Sequence, residues 1–209
     1  MPISWERKSG DDVIAIWDIT ETEDFLAKKC GKNAYQNGID KNAHPLVRRQ
    51  KLAIKCMLNE LLKREVEFSY NKFGKPQLVN IPLEVSMTHS HEKVAVMLSP
   101  KSAGLDLQLI HPKIEKIVPR FLSKEELEGL SEKNKLEQAH ILWCAKETIT
   151  KIYGKKDLIF SKQILIAPFD YDKTGGSIKA KLKTNDTESD YLLRYEKLDD
   201  YLLVYLLND

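Results

Sequence analysis

Apolar residues along this chain change period in the same order twice, from strand-like to helix-like and back to strand-like. The second pass begins near Pro100 and Gly104. In the first pass, residues 13–17 form a short apolar run of buried-strand character. Pro45 then opens a helical pattern through Leu46, Leu52, Ile54, Met57, Leu58, Leu61 and Leu62. Residues 66–70 alternate as a strand, and residues 84–88 and 93–98 read as a hairpin with Ser90-His91-Glu92 at its bend. In the second pass, a strand over residues 102–109 leads into a helix-rich stretch. This has an amphipathic segment at 113–121, a capping-box start at Ser123-Lys124-Glu125-Glu126, and a long helix over 137–153 stopped by Gly154. Four β-rich runs close the chain, at 163–169, 177–183, 191–195 and 201–206. The order predicts an α+β fold of two similar halves, residues 1–101 and 102–209, each of about 100 residues and related by pseudo-twofold symmetry. The Asn- and Gly-bearing segment at 31–42 reads as loop.

Charge and cysteine usage narrow the function. The net charge is +2, with 31% charged and 42% hydrophobic residues, so no overall field argues for a nucleic-acid or membrane partner. The first residues have no long apolar run, and no stretch has the length to span a bilayer. Cys30, Cys56 and Cys144 are widely spaced, matching neither a disulfide framework nor a zinc site, and a cytoplasmic location is expected. Basic runs stand at Arg48-Arg49-Gln50-Lys51, at Lys155-Lys156 and between Lys113 and Lys124. Arg48, Arg49 and Lys51 crowd the first two turns of their helix, where the dipole disfavours cations, so an anion nearby would account for them.

Two acidic motifs lie about 40 residues apart: Gly104-Leu105-Asp106-Leu107-Gln108, and Trp143-Cys144-Ala145-Lys146-Glu147 continuing to Lys151. On a helix Glu147 and Lys151, at i and i+4, face the same way, opposite a stripe of Leu142, Ala145, Ile149 and Ile152. Alone, that spacing describes a surface ion pair as well as a site. Asp106 points to the strand face opposite Leu105 and Leu107, where burial is costly unless the carboxylate is paired or metal-bound. A half-solvated strand face would serve it equally. Gln108 shares the face of Asp106 and can offer an amide oxygen. A strand carboxylate and a helix carboxylate can hold a hard cation, which suits chemistry on a phosphate ester. Elsewhere, Met87-Thr88-His89-Ser90 places polar groups at a strand end, and His89, Lys75 and Arg49 can all donate to phosphate oxygens.

These pieces, in this order, resemble the 4′-phosphopantetheinyl transferases, in particular the longer, two-half type that activates peptide-synthetase and fatty-acid carrier proteins. The resemblance rests on Phe73-Gly74-Lys75-Pro76, Val85-Ser86-Met87-Thr88-His89-Ser90, Gly104-Leu105-Asp106-Leu107-Gln108, Arg120-Phe121-Leu122-Ser123-Lys124-Glu125-Glu126 and Trp143-Cys144-Ala145-Lys146-Glu147 with Lys151. Arg49-Gln50-Lys51-Leu52-Ala53 also looks like the family's arginine-bearing helix.

The resemblance implies transfer of phosphopantetheine from coenzyme A to a serine of an apo acyl or peptidyl carrier protein. The other product would be 3′,5′-ADP. It implies a Mg²⁺ ion, with Mn²⁺ as a substitute, held by Asp106, Glu147 and Gln108 with the coenzyme A diphosphate. Glu147 would take the serine proton, Lys151 would stabilise the pyrophosphate, and Lys146 would assist at coenzyme A. Thr88, His89, Lys75 and Arg49 match positions that hold the adenosine and its 3′-phosphate. The carrier protein would dock on residues 113–124, and the protein would act as a monomer.

The chain departs from the family at Gln108, where the longer type commonly has an acidic residue, and at Lys55, where an arginine is usual. The first departure keeps open a non-catalytic module that binds coenzyme A or a carrier protein. An unrelated coenzyme A-dependent acyltransferase would need a base near a thioester. Among His44, His89, His91, His111 and His140, only His89 falls in a plausible site.

Overall fold

The computed structural model describes residues 3–31, 34–35, 39–40, 42–155 and 157–208. Asn33, Asn37 and Gly38 of the expected loop, and Lys156 of one basic run, lie outside the described residues. The chain divides into two compact units, Met1–Ala103 and Gly104–Asp209.

The first unit is built on strands β1 (Ile3–Ser9), β2 (Asp12–Asp18), β5 (Glu84–Ser90) and β6 (Lys93–Ser99), with helices α1 (Glu23–Cys30) and α2 (Pro45–Leu62). A small hairpin, β3 (Phe68–Tyr70) and β4 (Pro76–Leu78), lies between α2 and β5. The sheet is antiparallel in the order β1-β2-β6-β5. Its central strands are apolar on both faces, which is why residues 13–17 read as a continuous run rather than an alternation. Ala15, Trp17, Val94, Val96 and Leu98 share a core with Leu26 of α1 and with Leu52, Ala53, Cys56 and Met57 of α2. Fully burying the valine, leucine and methionine side chains among these contributes about 1.5–3 kcal/mol each. Pro45 at the first turn of α2 costs no hydrogen bond there, and the His44 side chain caps the helix by accepting from Leu46 N–H.

Two elements of this unit go beyond the sequence expectation. β1 is an edge strand whose inward residues Ile3, Trp5 and Arg7 are only half-buried, so it lacks a strong apolar signal. α1 is eight residues long and buries only Leu26 and Cys30. Its N-cap, Thr22, accepts from Phe25 N–H, with Glu23 and Asp24 in the first turn and Lys28 and Lys29 in the last. The cysteine expectation is corrected as well. Cys30 and Cys56 are joined as a disulfide, with their Cα atoms 5.3 Å apart, because α1 packs along α2 and sets them face to face. Cys144 is the buried free cysteine.

The second unit has β7 (Leu105–Leu109), β8 (Ile164–Ile166), β9 (Gly176–Lys183), β10 (Glu188–Leu198) and β11 (Tyr201–Leu206) in the antiparallel order β7-β11-β10-β9-β8. Its helices are α3 (Val118–Phe121), α4 (Lys124–Glu128), α5 (Lys135–Tyr153) and α6 (Phe160–Gln163). The long α5 packs on β7 and β11 and ends at Gly154, which takes the left-handed conformation at φ +66°. Of the expected stripe, Leu142, Ala145 and Ile149 are buried and Ile152 is half-buried. Residues 113–121 do not form one helix: a 3₁₀ turn at Pro112–Lys116 gives way to α3, because Pro119 cannot donate the bond a continuous helix would need.

Each unit is therefore an antiparallel sheet with one long helix, an α+β arrangement. Among the described residues no helix is long and apolar enough to cross a membrane.

Candidate active site

β7 is an edge strand with both faces covered: Leu105 and Leu107 are fully buried, and Asp106, on the other face, is 3% exposed. A carboxylate this deep needs partners. Lys151, from the last turn of α5, donates to Asp106 Oδ1 at 2.8 Å and to the Leu105 carbonyl at 2.9 Å. Gln108 donates its Nε2–H to Asp106 Oδ2 at 3.1 Å.

Gly104 brings the strand this close to the helix. A Cβ there would lie 2.7 Å from Ile152 Cδ1, closer still to Ile152 Cγ1, and 3.1 Å from the Thr148 carbonyl. The contact is tied further along by Thr148 Oγ1–H, which donates to the Val204 carbonyl of β11, the strand paired with β7.

Glu147 stands half-buried on α5, one turn before Lys151. Burial raises its carboxyl pKa, the charge of Asp106 raises it further, and Lys151 opposes both. The same enclosure holds the neighbouring Cys144 thiol well above its ordinary range, through burial first and Asp106 second. Two carboxylates against one lysine leave a net negative charge in a partly dry site. Oxygen donors with residual negative charge fit a hard divalent cation. The number of donors is small: among the described residues no cluster of three or more His, Cys, Asp or Glu forms a metal site. Gln108 stands as a donor to Asp106, with its amide oxygen turned from that carboxylate. Lys146 is fully enclosed and bonded to Glu126 and to the carbonyls of Phe160 and Ile164, so it does not join Lys151 at Asp106.

The residues expected at the nucleotide fall in the first unit. Arg49 Nη2 donates to the Ile19 carbonyl at 3.2 Å and to Glu92 at 2.8 Å, at the turn between β5 and β6. Gln50 fixes the same turn by donating to the His91 carbonyl at 2.7 Å. Arg49 Nε is buried and has no acceptor among the described residues. Lys75 pairs with Glu84 at 2.8 Å, at the start of β5. The seven residues of β5 separate that end from Arg49 and Glu92 by about 20 Å along the strand, so these two cations do not converge in this unit. Thr88 is buried and His89 exposed, as neighbours on one strand must be when its faces differ.

Sequence reasoning missed one important partner. The capping box at Ser123 was legible, and Ser123 and Glu126 satisfy each other's backbone N–H groups as expected. The further bond that Glu126 accepts from Lys146, 20 residues on, leaves no local signal.

An aspartate buried on an edge strand, with a glutamate and a lysine one turn apart on a packed helix beside it, forms a small acidic cluster. Residues 102–205 match the 4′-phosphopantetheinyl transferase superfamily, and to that family this unit belongs. Over 100 residues, 46% of its length, the chain is 32% identical to 4′-phosphopantetheinyl transferase Sfp of Bacillus subtilis (strain 168), of which the match covers 45%. The same identity and coverage relate it to 4′-phosphopantetheinyl transferase ffp of Bacillus subtilis. The chain thus spans about half the length of the curated relatives it matches.

Proposed function

We propose that this protein transfers the 4′-phosphopantetheine group of coenzyme A to a serine of an apo acyl or peptidyl carrier protein. The observation that carries this reading is the grouping of Asp106, Lys151 and Glu147 where β7 meets α5. In the reaction the serine oxygen bonds to the β-phosphorus of coenzyme A. The bond from that phosphorus to the bridging oxygen breaks, and 3′,5′-ADP leaves with the bridging oxygen. Mg²⁺, or Mn²⁺ in its place, would be held by Asp106 and Glu147 and would offset charge developing on the phosphate oxygens. Gln108 would reach it only after turning its amide. Glu147, its carboxyl pKa raised by burial and by Asp106, is the base for the serine proton. Lys151 holds Asp106 in place and is close enough to the site to share its protons with a pyrophosphate oxygen.

In this reading residues 1–101 supply the nucleotide contacts, with Arg49, Lys75, Thr88 and His89 as the candidates. Residues 102–209 supply the metal site and the docking surface. Lys113, Lys116, Arg120 and Lys124 are exposed while Ile114, Val118 and Phe121 are buried, which suits an acidic helix of the acceptor. The protein is taken as a cytoplasmic monomer.

The hydrogen bond from Gln108 to Asp106 favours a second reading, a non-catalytic coenzyme A or carrier-protein binding module, because it occupies a carboxylate oxygen. Intact-mass spectrometry separates the two. An apo carrier protein incubated with this protein, coenzyme A and Mg²⁺ should gain one phosphopantetheine, and the gain should vanish with EDTA. Coenzyme A binding without modification of several carrier types would favour the module.

A further inference from the structure

Lys146 and Glu126 form a buried junction apart from the acidic site. Lys146 is 0% exposed and Glu126 is 9% exposed. The lysine ammonium has three protons and three acceptors: Glu126 Oε2 at 2.8 Å, the Phe160 carbonyl at 3.0 Å, and the Ile164 carbonyl at the start of β8. Glu126 is equally engaged. Its Oε2 also accepts from Ser123 N–H at 2.8 Å, and its Oε1 accepts from Ile166 N–H at 2.9 Å. One ion pair therefore ties together the cap of α4, the middle of α5, the first residue of α6 and both ends of β8.

Lys146 immediately precedes Glu147, and successive residues on an α-helix project about 100° apart. Whatever fixes the direction of Lys146 therefore fixes the direction of Glu147. That restraint has work to do, because Glu147 and Asp106 are like charges and repel when both are ionised. Lys151 supplies one tether from the far side of Glu147 by bonding Asp106. Lys146 supplies the other from the near side, in a different direction, so the two together resist rotation of α5 about its axis.

We propose that Glu126 and Lys146 are a positioning pair for phosphopantetheinyl transfer, holding α5 in the rotation that aims Glu147 at the Asp106 site. The inference rests on the transferase reading above. It also links the residues proposed to dock the acceptor to the residue proposed to take its proton, since Ser123 and Lys124 adjoin the α4 cap.

Removing one partner leaves the other charge buried and threatens the fold, whereas replacing a buried pair together is often neutral for stability. The test is accordingly the double variant Glu126→Gln/Lys146→Met, beside Lys146→Met alone. Calorimetric titration with coenzyme A counts competent sites in each preparation, and transfer rates are expressed per competent site. The expected result for the double variant is a kcat lower by about 100-fold, the scale of a small misplacement of a reacting group. Its KM for coenzyme A should stay within about twofold of wild type. A purely structural role would instead reduce the number of competent sites and leave kcat per site unchanged, and that result overturns the proposal. A wild-type protein that binds coenzyme A and modifies no carrier would overturn the transferase reading and this one with it. Wild-type transfer with an unimpaired double variant would overturn this one alone.

Discussion

Lys151 Nζ lies 2.8 Å from Asp106 Oδ1, so the lysine one turn beyond Glu147 is held by the strand aspartate. That pairing turns an ordinary helical spacing into a tertiary one. The side chain of Asp106 is 4% exposed and that of Lys151 27% exposed, which places the aspartate at the floor of the site and the lysine at its edge. Losing the lysine would leave a buried carboxylate without its cation, an outcome that typically costs 3–5 kcal/mol. Lys151→Met should therefore lower both stability and transfer, while Asp106→Asn/Lys151→Met should recover stability, read by thermal unfolding, without recovering transfer.

Glu147 is half-buried and off the apolar stripe of α5, so it can be changed without opening the core. Glu147→Gln should reduce kcat by about 10²–10⁴-fold, the usual contribution of a positioned base, with a circular-dichroism spectrum like that of wild type. Turnover at the wild-type rate would remove Glu147 from the role of base.

The raised carboxyl pKa of Glu147 carries a sign for stability as well as for rate. A carboxyl whose folded pKa exceeds its unfolded value contributes stability below the unfolded pKa, and that contribution is lost as pH rises through the folded pKa. Once ionised, Glu147 is therefore a burden on the fold. Glu147→Gln should unfold at a higher temperature than wild type at pH 7, and the difference should shrink toward zero as pH falls below the ordinary carboxylate range. Under the proposed reading, transfer should run the opposite way in wild type, falling as Glu147 gains its proton in acid. A stability difference that grows in acid would contradict the assignment.

Much of the site was legible in the sequence because its signals are local. Asp106 between two leucines, Glu147 and Lys151 at i and i+4, and Gly154 as a helix stop each depend on residues within one element. The capping box at Ser123 belongs with them, and the structure contains it as expected. What could not be read was pairing across elements. Nothing near Lys146 in the chain marks it as the partner of Glu126, or distinguishes it from Lys151 five residues on. The same limit hid the joining of Cys30 to Cys56, which depends on how α1 lies along α2. β1 went unread for an energetic reason: an edge strand with half-buried residues draws its order from β2 rather than from its own apolar pattern.

The exposed cations before the capping box give a prediction about the acceptor alone. Lys113, Lys116 and Arg120 make no part of the core, so reversing their charge should spare the fold. If an acidic carrier helix docks there, Lys116→Glu/Arg120→Glu should raise KM for the carrier protein while leaving KM for coenzyme A unchanged. The wild-type KM for carrier should rise with salt, and that of the variant should depend on salt more weakly, because surface charges are screened within about 10 Å at 0.1 M ionic strength. An equal rise in both KM values would point to a general defect rather than a docking surface.

The closeness of β7 to α5 gives the most direct check on the geometry. Gly104→Ala would set a methyl 2.7 Å from Ile152 Cδ1 and 3.1 Å from the Thr148 carbonyl, and the helix would have to shift or the isoleucine rotate. Overpacking of this kind costs about 1–3 kcal/mol, and here it should also move Asp106 relative to Lys151 and Glu147. The single variant should therefore melt at a lower temperature and lose more transfer than its folded fraction explains. Trimming the opposing side chain in Gly104→Ala/Ile152→Ala removes the two closest contacts but not the carbonyl. That double variant should recover part of the transfer per folded molecule, even though Ile152→Ala alone is destabilising. If the second substitution recovers nothing, Gly104 matters for a reason other than the approach of strand to helix.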